Sequence, residues 1–103
     1  MGYDDEHLIE IRQTEEYAGW FERLRDRRAR ALIKVRLRRL QCGNPGDVRP
    51  VGEGVSELRI HHGPGYRVYY IQRGCDVVIL LAGDAKSSQQ SDINVARRLV
   101  RQV

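Results

Sequence analysis

The chain has 103 residues, the size of one domain, so residues 1–103 are expected to form a single fold whose function rests on one core and its surface. Apolar residues make up 41% and charged residues 31%, and no apolar run approaches the length of about 20 residues that a membrane helix needs, which excludes a helical membrane protein. The net charge of +4 and a pair of cysteines, Cys42 and Cys75, without CxxC spacing or neighbouring histidines, argue for two reduced structural thiols and no metal or disulfide chemistry.

The first residues, Met1 to His7, are acidic where a secretory signal needs positive charge and an apolar stretch, so a cytoplasmic protein is expected. Leu8 to Arg12 alternate, with Ile9 and Ile11 on one side, and read as a short half-buried strand. Thr14 offers a helix cap, and Glu15 and Glu16 suit the positive end of the helix dipole. Tyr17, Trp20, Phe21 and Leu24 then form one apolar stripe. Asp26 caps a second helix, with Ala29, Leu32, Ile33, Leu37 and Leu40 on its inner face. Arg30, Lys34 and Arg38 fall together on its outer face, and Arg36 falls inside the apolar stripe, a structural position that needs a partner. Between Arg23 and Arg39 stand nine Lys or Arg and one acid, Asp26. That run is either a solvated helix face or a docking surface for phosphate or an acidic protein.

Gly43-Asn44-Pro45-Gly46 ends the second helix, and the period changes to two. Val48 to Val51, Val55 to His61, Tyr66 to Gln72 and Val77 to Ala82 read as strands, separated by the turns Gly52-Glu53-Gly54, His62-Gly63-Pro64-Gly65 and Arg73-Gly74-Cys75-Asp76. The last strand is apolar throughout and is expected to be central and covered on both faces. Ser88 or Ser91 can cap a final helix marked by Ile93, Ala96, Leu99 or Val100, and Val103. The order β-α-α-β-β-β-β-α describes an α+β domain, helices packed on one face of a mostly antiparallel sheet.

Strand parity locates a candidate site. With Leu58 and Ile60 turned to the helices, Glu57, Arg59 and His61 face the other way, and with Tyr66, Val68 and Tyr70 inward, Arg67 and Tyr69 lie on the open face. Lys86, in the loop leaving the last strand, can reach the same edge. Ordinary solvent-facing strand residues would give the same pattern. The sequence contains no serine-histidine-acid trio, no paired-carboxylate site and no phosphate-binding glycine loop; Gly52-Glu53-Gly54 and Gly63-Pro64-Gly65 read as hairpin turns. His61 and His62 are adjacent on a strand, so at most one of them belongs in a site.

Glu57-Leu58-Arg59-Ile60, Gly63 to Tyr70 (GPGYRVYY) and Leu80 to Gln89 (LLAGDAKSSQ), with Gly43-Asn44-Pro45-Gly46-Asp47 and the two basic helices, resemble the addiction-module killer proteins, the HigB-like, phage Gp49-related branch of the RelE/ParE toxin superfamily. The resemblance covers nearly the whole chain. It implies a RelE-like fold, a type II toxin–antitoxin pair, and mRNA cleavage on the ribosome without a cofactor or metal. Arg59 matches the family's strand arginine, Arg67 that of the Gly-Tyr-Arg stretch, and Lys86 a basic residue after the central strand. In such a ribonuclease the RNA 2′-hydroxyl attacks the adjacent phosphate. Arg59 and Arg67 are expected to clamp the phosphorane, Lys86 or a histidine to move protons, and Tyr69 to stack on a base. Arg30, Lys34, Arg38, His61 and His62 are the expected nucleic-acid contacts. The partners implied are the ribosome with its mRNA and a cognate antitoxin, of the helix-turn-helix kind, lying across the helical face around Trp20. The best-known RelE members carry a tyrosine in the C-terminal segment where this chain has Asp92 or Ile93. That departure opens a second expectation, a non-nuclease toxin that poisons DNA gyrase as ParE-like members do.

Overall fold

Thr14, Asp26 and the glycines after residue 42 divide the chain into the expected elements. The computed structural model describes residues 8–85 and 89–103. They form β1 (Glu10–Gln13), α1 (Glu15–Arg23), α2 (Arg27–Gln41), β2 (Val48–Gly52), β3 (Val55–Ile60), β4 (Tyr66–Arg73), β5 (Val77–Ala85) and α3 (Gln89–Leu99), closed by a 3-10 turn over Val100–Gln102. The Thr14 hydroxyl accepts from the Tyr17 N–H at 3.1 Å and donates to the Leu81 carbonyl at 2.6 Å, so one side chain both starts α1 and ties it to β5. Asp26 accepts from the Ala29 N–H at 3.0 Å. Helix α2 ends in a left-handed Gly43 (φ 87°), whose N–H reaches the Leu40 carbonyl. In the β2–β3 hairpin Glu53 and Gly54 both take positive φ, 56° and 79°, the pattern of a type I′ turn matched to strand twist.

The five strands lie in the order β1-β5-β4-β3-β2, antiparallel except for β1 against β5, which is parallel. The architecture is the α+β β-α-α-β-β-β-β-α domain expected. β5 is an interior strand, although β4 is the middle one, and β5 runs on to Ala85 instead of ending at Ala82. Among the described residues no helix is long and apolar enough to cross a membrane.

Two apolar clusters lie on opposite faces of the sheet. One joins Tyr17, Ile33 and Leu40 of α1 and α2 to Leu58, Ile60, Val68, Tyr70, Val78 and Leu80. The other joins Ile93, Ala96 and Leu99 of α3 to Val55, Tyr69, Ile71, Ile79 and Leu81. Helices therefore cover both faces, not one: β4 and β5 are apolar at successive positions, and each parity needs a cover. The Arg97 guanidinium fastens α3 over the β2 end by donating to the Val51 carbonyl. Helix α3 begins at Gln89, which puts Ser91 inside the helix, while Ser88 lies outside the described residues. Cys42 and Cys75 are free and exposed, and so belong to the surface and not to the core.

One irregularity decides where the site falls. Tyr69 pairs with Ala82 and Tyr70 with Leu80, leaving Leu81 as an extra residue, a β-bulge. Beyond it the alternation of β5 is reversed. Gly83 turns to the α1 side, where the Trp20 ring packs on it so closely that a Cβ would sit 2.3 Å from Trp20 Cε3. Asp84 turns to the opposite face, beside Arg67 and Tyr69.

Candidate functional site

On the α3 side of the sheet, the register sets Arg59 of β3 opposite Arg67 of β4, and Arg67 opposite Asp84 of β5. Along the neighbouring row Arg49 is opposite Glu57, and Glu57 opposite Tyr69. Like charges directly opposite repel, so two facing arginines require counter-charges. The structure supplies them. Glu57, with 0% exposure, has the Arg59 Nε 3.3 Å and the Arg49 Nε 3.7 Å from its Oε1, and the Arg67 Nε 3.9 Å from its Oε2. Arg67, 6% exposed, donates from Nη1 to Asp84 Oδ1 at 3.2 Å, and the Tyr69 hydroxyl donates to Asp84 Oδ2 at 2.8 Å. Three guanidinium groups thus meet two buried carboxyl groups, and buried Arg67, the one that reaches both, is the member whose loss strands them.

Burial is the largest influence on Asp84 and raises its pKa to about 7. A hydrogen bond with Asp92 of α3 pushes the same way, against the pull of Tyr69 and Arg67. Tyr69 is itself driven well above the usual phenol range, first by burial and then by donating to Asp84.

Beyond this network, Arg59, Ile60, His61, Gly65, Tyr66 and Arg67 line an open pocket of about 90 Å3 at the end of the β3–β4 hairpin. Sites for drug-sized molecules span about 300–1,000 Å3, so this pocket suits one small anionic group. His61 Nε2 lies 2.5 Å from Asp47 Oδ2. That bond is the main cause holding the Asp47 carboxyl below its usual range, with the charges of His61, Arg59 and Arg36 adding to it against partial burial. Arg36 has the structural role its stripe position implied: it donates to the carbonyls of Pro45, Asp47 and Arg59, pinning the loop before β2 to β3.

The expected site residues do not all fall in one place. Arg59, Arg67 and His61 are brought together on one pocket. Tyr69 is not on an open face: it is completely buried beneath α3, because that face is covered, and no base can stack on it. Arg67 is likewise buried at the pocket's base, with Arg59 as its exposed neighbour. His62 points away and bonds Asp26 Oδ2 at 3.0 Å, tying the β3–β4 turn to the start of α2. Lys86 lies outside the described residues.

On α2, Arg30 is not a free outward cation. It donates to the carbonyls of Phe21 and Leu24 and sits 4.6 Å over the Phe21 ring, capping the end of α1. Lys34 and Arg38 are exposed, and Arg27, Arg28 and Arg39 are exposed on the same helix. Four residues of the site were not singled out from the sequence: Arg49, Glu57, Asp47 and Asp84. Glu57 carried a signal, a lone acid between apolar Val55 and Leu58 at the parity of Arg59. Asp84 carried none, because only the bulge turns it inward. Among the described residues no group of three or more His, Cys, Asp or Glu side chains is placed to hold a metal ion.

No protein-family model matches the chain. It is 43% identical, over 95 residues, to an uncharacterized protein of Haemophilus influenzae, and the match spans 92% of this chain and 96% of the relative. Identity at this level along nearly the full length of both proteins means one shared fold and ancestry, and the chain belongs to the same family as that Haemophilus influenzae protein.

Proposed function

We propose that this protein is the toxin of a type II toxin–antitoxin pair, a cytoplasmic ribosome-dependent mRNA endoribonuclease of the RelE/ParE kind. The observation that carries the reading is the cross-strand pair Arg59–Arg67 at the wall of a phosphate-sized pocket. Guanidinium stays charged and grips phosphate oxygens two at a time, which suits it to the charge that builds up on a phosphorane. Glu57 and Asp84 hold the pair in place, and a clamp preorganised in this way loses little entropy on binding RNA. The attacking group is the RNA's own 2′-hydroxyl, so the protein needs to supply only charge, orientation and proton transfer. Tyr66, which lines the pocket, takes the place of Tyr69 as the aromatic surface a base can meet. The exposed cations of α2, with Lys34 and Arg38 among them, serve as the approach surface for ribosomal RNA or for an acidic antitoxin.

Arg59→Ala is the clean probe, because Arg59 is half-exposed while removing buried Arg67 strands Glu57 and Asp84. With folding intact, Arg59→Ala is expected to abolish ribosomal mRNA cuts; unaffected cleavage sinks the proposal. The second reading, poisoning of DNA gyrase, is favoured by one feature, Asp92 and Ile93 where RelE members have tyrosine. A gyrase DNA-cleavage assay beside primer extension on translated mRNA separates the two.

A further inference from the structure

Two histidines stand side by side after β3, and the fold uses them differently. His62 is spent on Asp26, the cap of α2. The His61 side chain is 74% exposed at the pocket and is bonded to Asp47. An ion pair this exposed adds little stability, so the fold gains almost nothing from it.

What the pair does fix is the state of the ring. A carboxylate only accepts, so the nitrogen facing Asp47, Nε2, carries the hydrogen, and Nδ1 is left as the basic nitrogen. Asp47 is firmly seated for this task. Its carbonyl accepts from the Arg59 N–H at 3.0 Å and from Arg36 Nη2 at 3.1 Å, and Arg36 also holds the carbonyls of Pro45 and Arg59. The carboxyl that aims His61 and the strand that carries Arg59 are therefore locked to one another. The charged and titratable groups around the imidazole are Asp47 from the loop before β2, Arg59 from β3, Arg36 from α2 behind Asp47, and Tyr66 and Arg67 from β4.

We propose that His61 is the proton-transferring residue of the pocket and Asp47 its positioning residue, acting on a single RNA phosphodiester held beside Arg59; this rests on the ribonuclease reading above. The 2′-oxygen bonds to phosphorus as its proton passes to His61 Nδ1. The bond from phosphorus to the 5′-oxygen breaks, and that oxygen takes a proton from water. The products are a 2′,3′-cyclic phosphate and a 5′-hydroxyl end, and His61 returns its proton to solvent. Asp47 steadies the imidazolium formed in between and keeps the ring in the productive tautomer.

The test is the single-turnover rate of mRNA cutting on programmed ribosomes, followed across about pH 5 to 8, where an imidazole titrates. It compares wild type, His61→Gln, Asp47→Asn and the double variant, each checked for folding by thermal melting. Wild-type rates are expected to rise with pH, because a proton acceptor works only when it is unprotonated. His61→Gln is expected to lose about 100-fold or more in rate, together with that rise. Asp47→Asn is expected to cut more slowly, and to cost nothing further when added to His61→Gln, since Asp47 acts only through the ring. Wild-type cutting with an unchanged profile in a folded His61→Gln overturns the proposal, and a full further loss when Asp47→Asn is added to His61→Gln overturns the part given to Asp47. If wild type itself does not cut, the ribonuclease reading fails first and this proposal with it, an outcome distinct from cutting that ignores His61.

Discussion

Asp84 makes the stability of the fold depend on pH in a direction opposite to that of most acidic residues. Its pKa is about 7 in the folded protein, against an ordinary 3.8, chiefly because burial disfavours the charged form. Between these values the folded chain holds a proton that the unfolded chain has released, so stability falls as pH rises through the window. The gap corresponds to about 4 kcal/mol at most. Asp84→Asn is uncharged throughout and keeps a side-chain oxygen for Arg67 or Tyr69, so it removes this dependence while preserving shape. Urea unfolding of both proteins at several pH values between about 4 and 8 isolates the effect, since every other titrating group is common to the two. The stability of wild type relative to Asp84→Asn is expected to drop by about 2–4 kcal/mol from the acid end to the alkaline end. Curves that stay parallel refute the placement of Asp84 in a buried pocket shared with Tyr69, Arg67 and Asp92.

Gly83→Ala puts a methyl group 2.3 Å from the Trp20 ring and is expected to cost about 1–3 kcal/mol, with a lower Tm in a thermal melt. An unchanged Tm contradicts the packing of α1 on β5. Arg36→Met removes donors to three carbonyls and is expected to destabilise by about 1.5–3 kcal/mol in urea unfolding. Reversing Arg27, Lys34 and Arg38 to Glu is expected to weaken ribosome binding and flatten its salt dependence, because each phosphate contact releases counterions. An identical salt slope moves the approach surface off α2.

Most of the fold was readable because local rules and global packing agree. Thr14 and Asp26 cap the helices as their chemistry implies, and the stripe from Tyr17 to Leu24 faces the sheet. Arg59 and Arg67 were placed on a common face by parity alone, and the register makes them direct neighbours. What parity could not reveal was the cover on that face. Tyr69 reads as a residue of the open face until α3 supplies Ile93, Ala96 and Leu99 to bury it. The position of a bulge is equally silent in an unbroken apolar run such as Val77–Ala82, and with it the inward turn of Asp84. Arg30 was misread because a helical wheel knows nothing of the neighbouring helix, whose C-terminal carbonyls and Phe21 ring draw the guanidinium in.

Primer extension on an mRNA translated in a reconstituted system, with and without ribosomes and with the purified protein, tests the central claim most directly. Cuts that appear only when ribosomes are present, and that vanish in folded Arg59→Ala, are the predicted result. An intact message with wild-type protein, together with accumulation of gyrase-cleaved DNA in a parallel reaction, contradicts it.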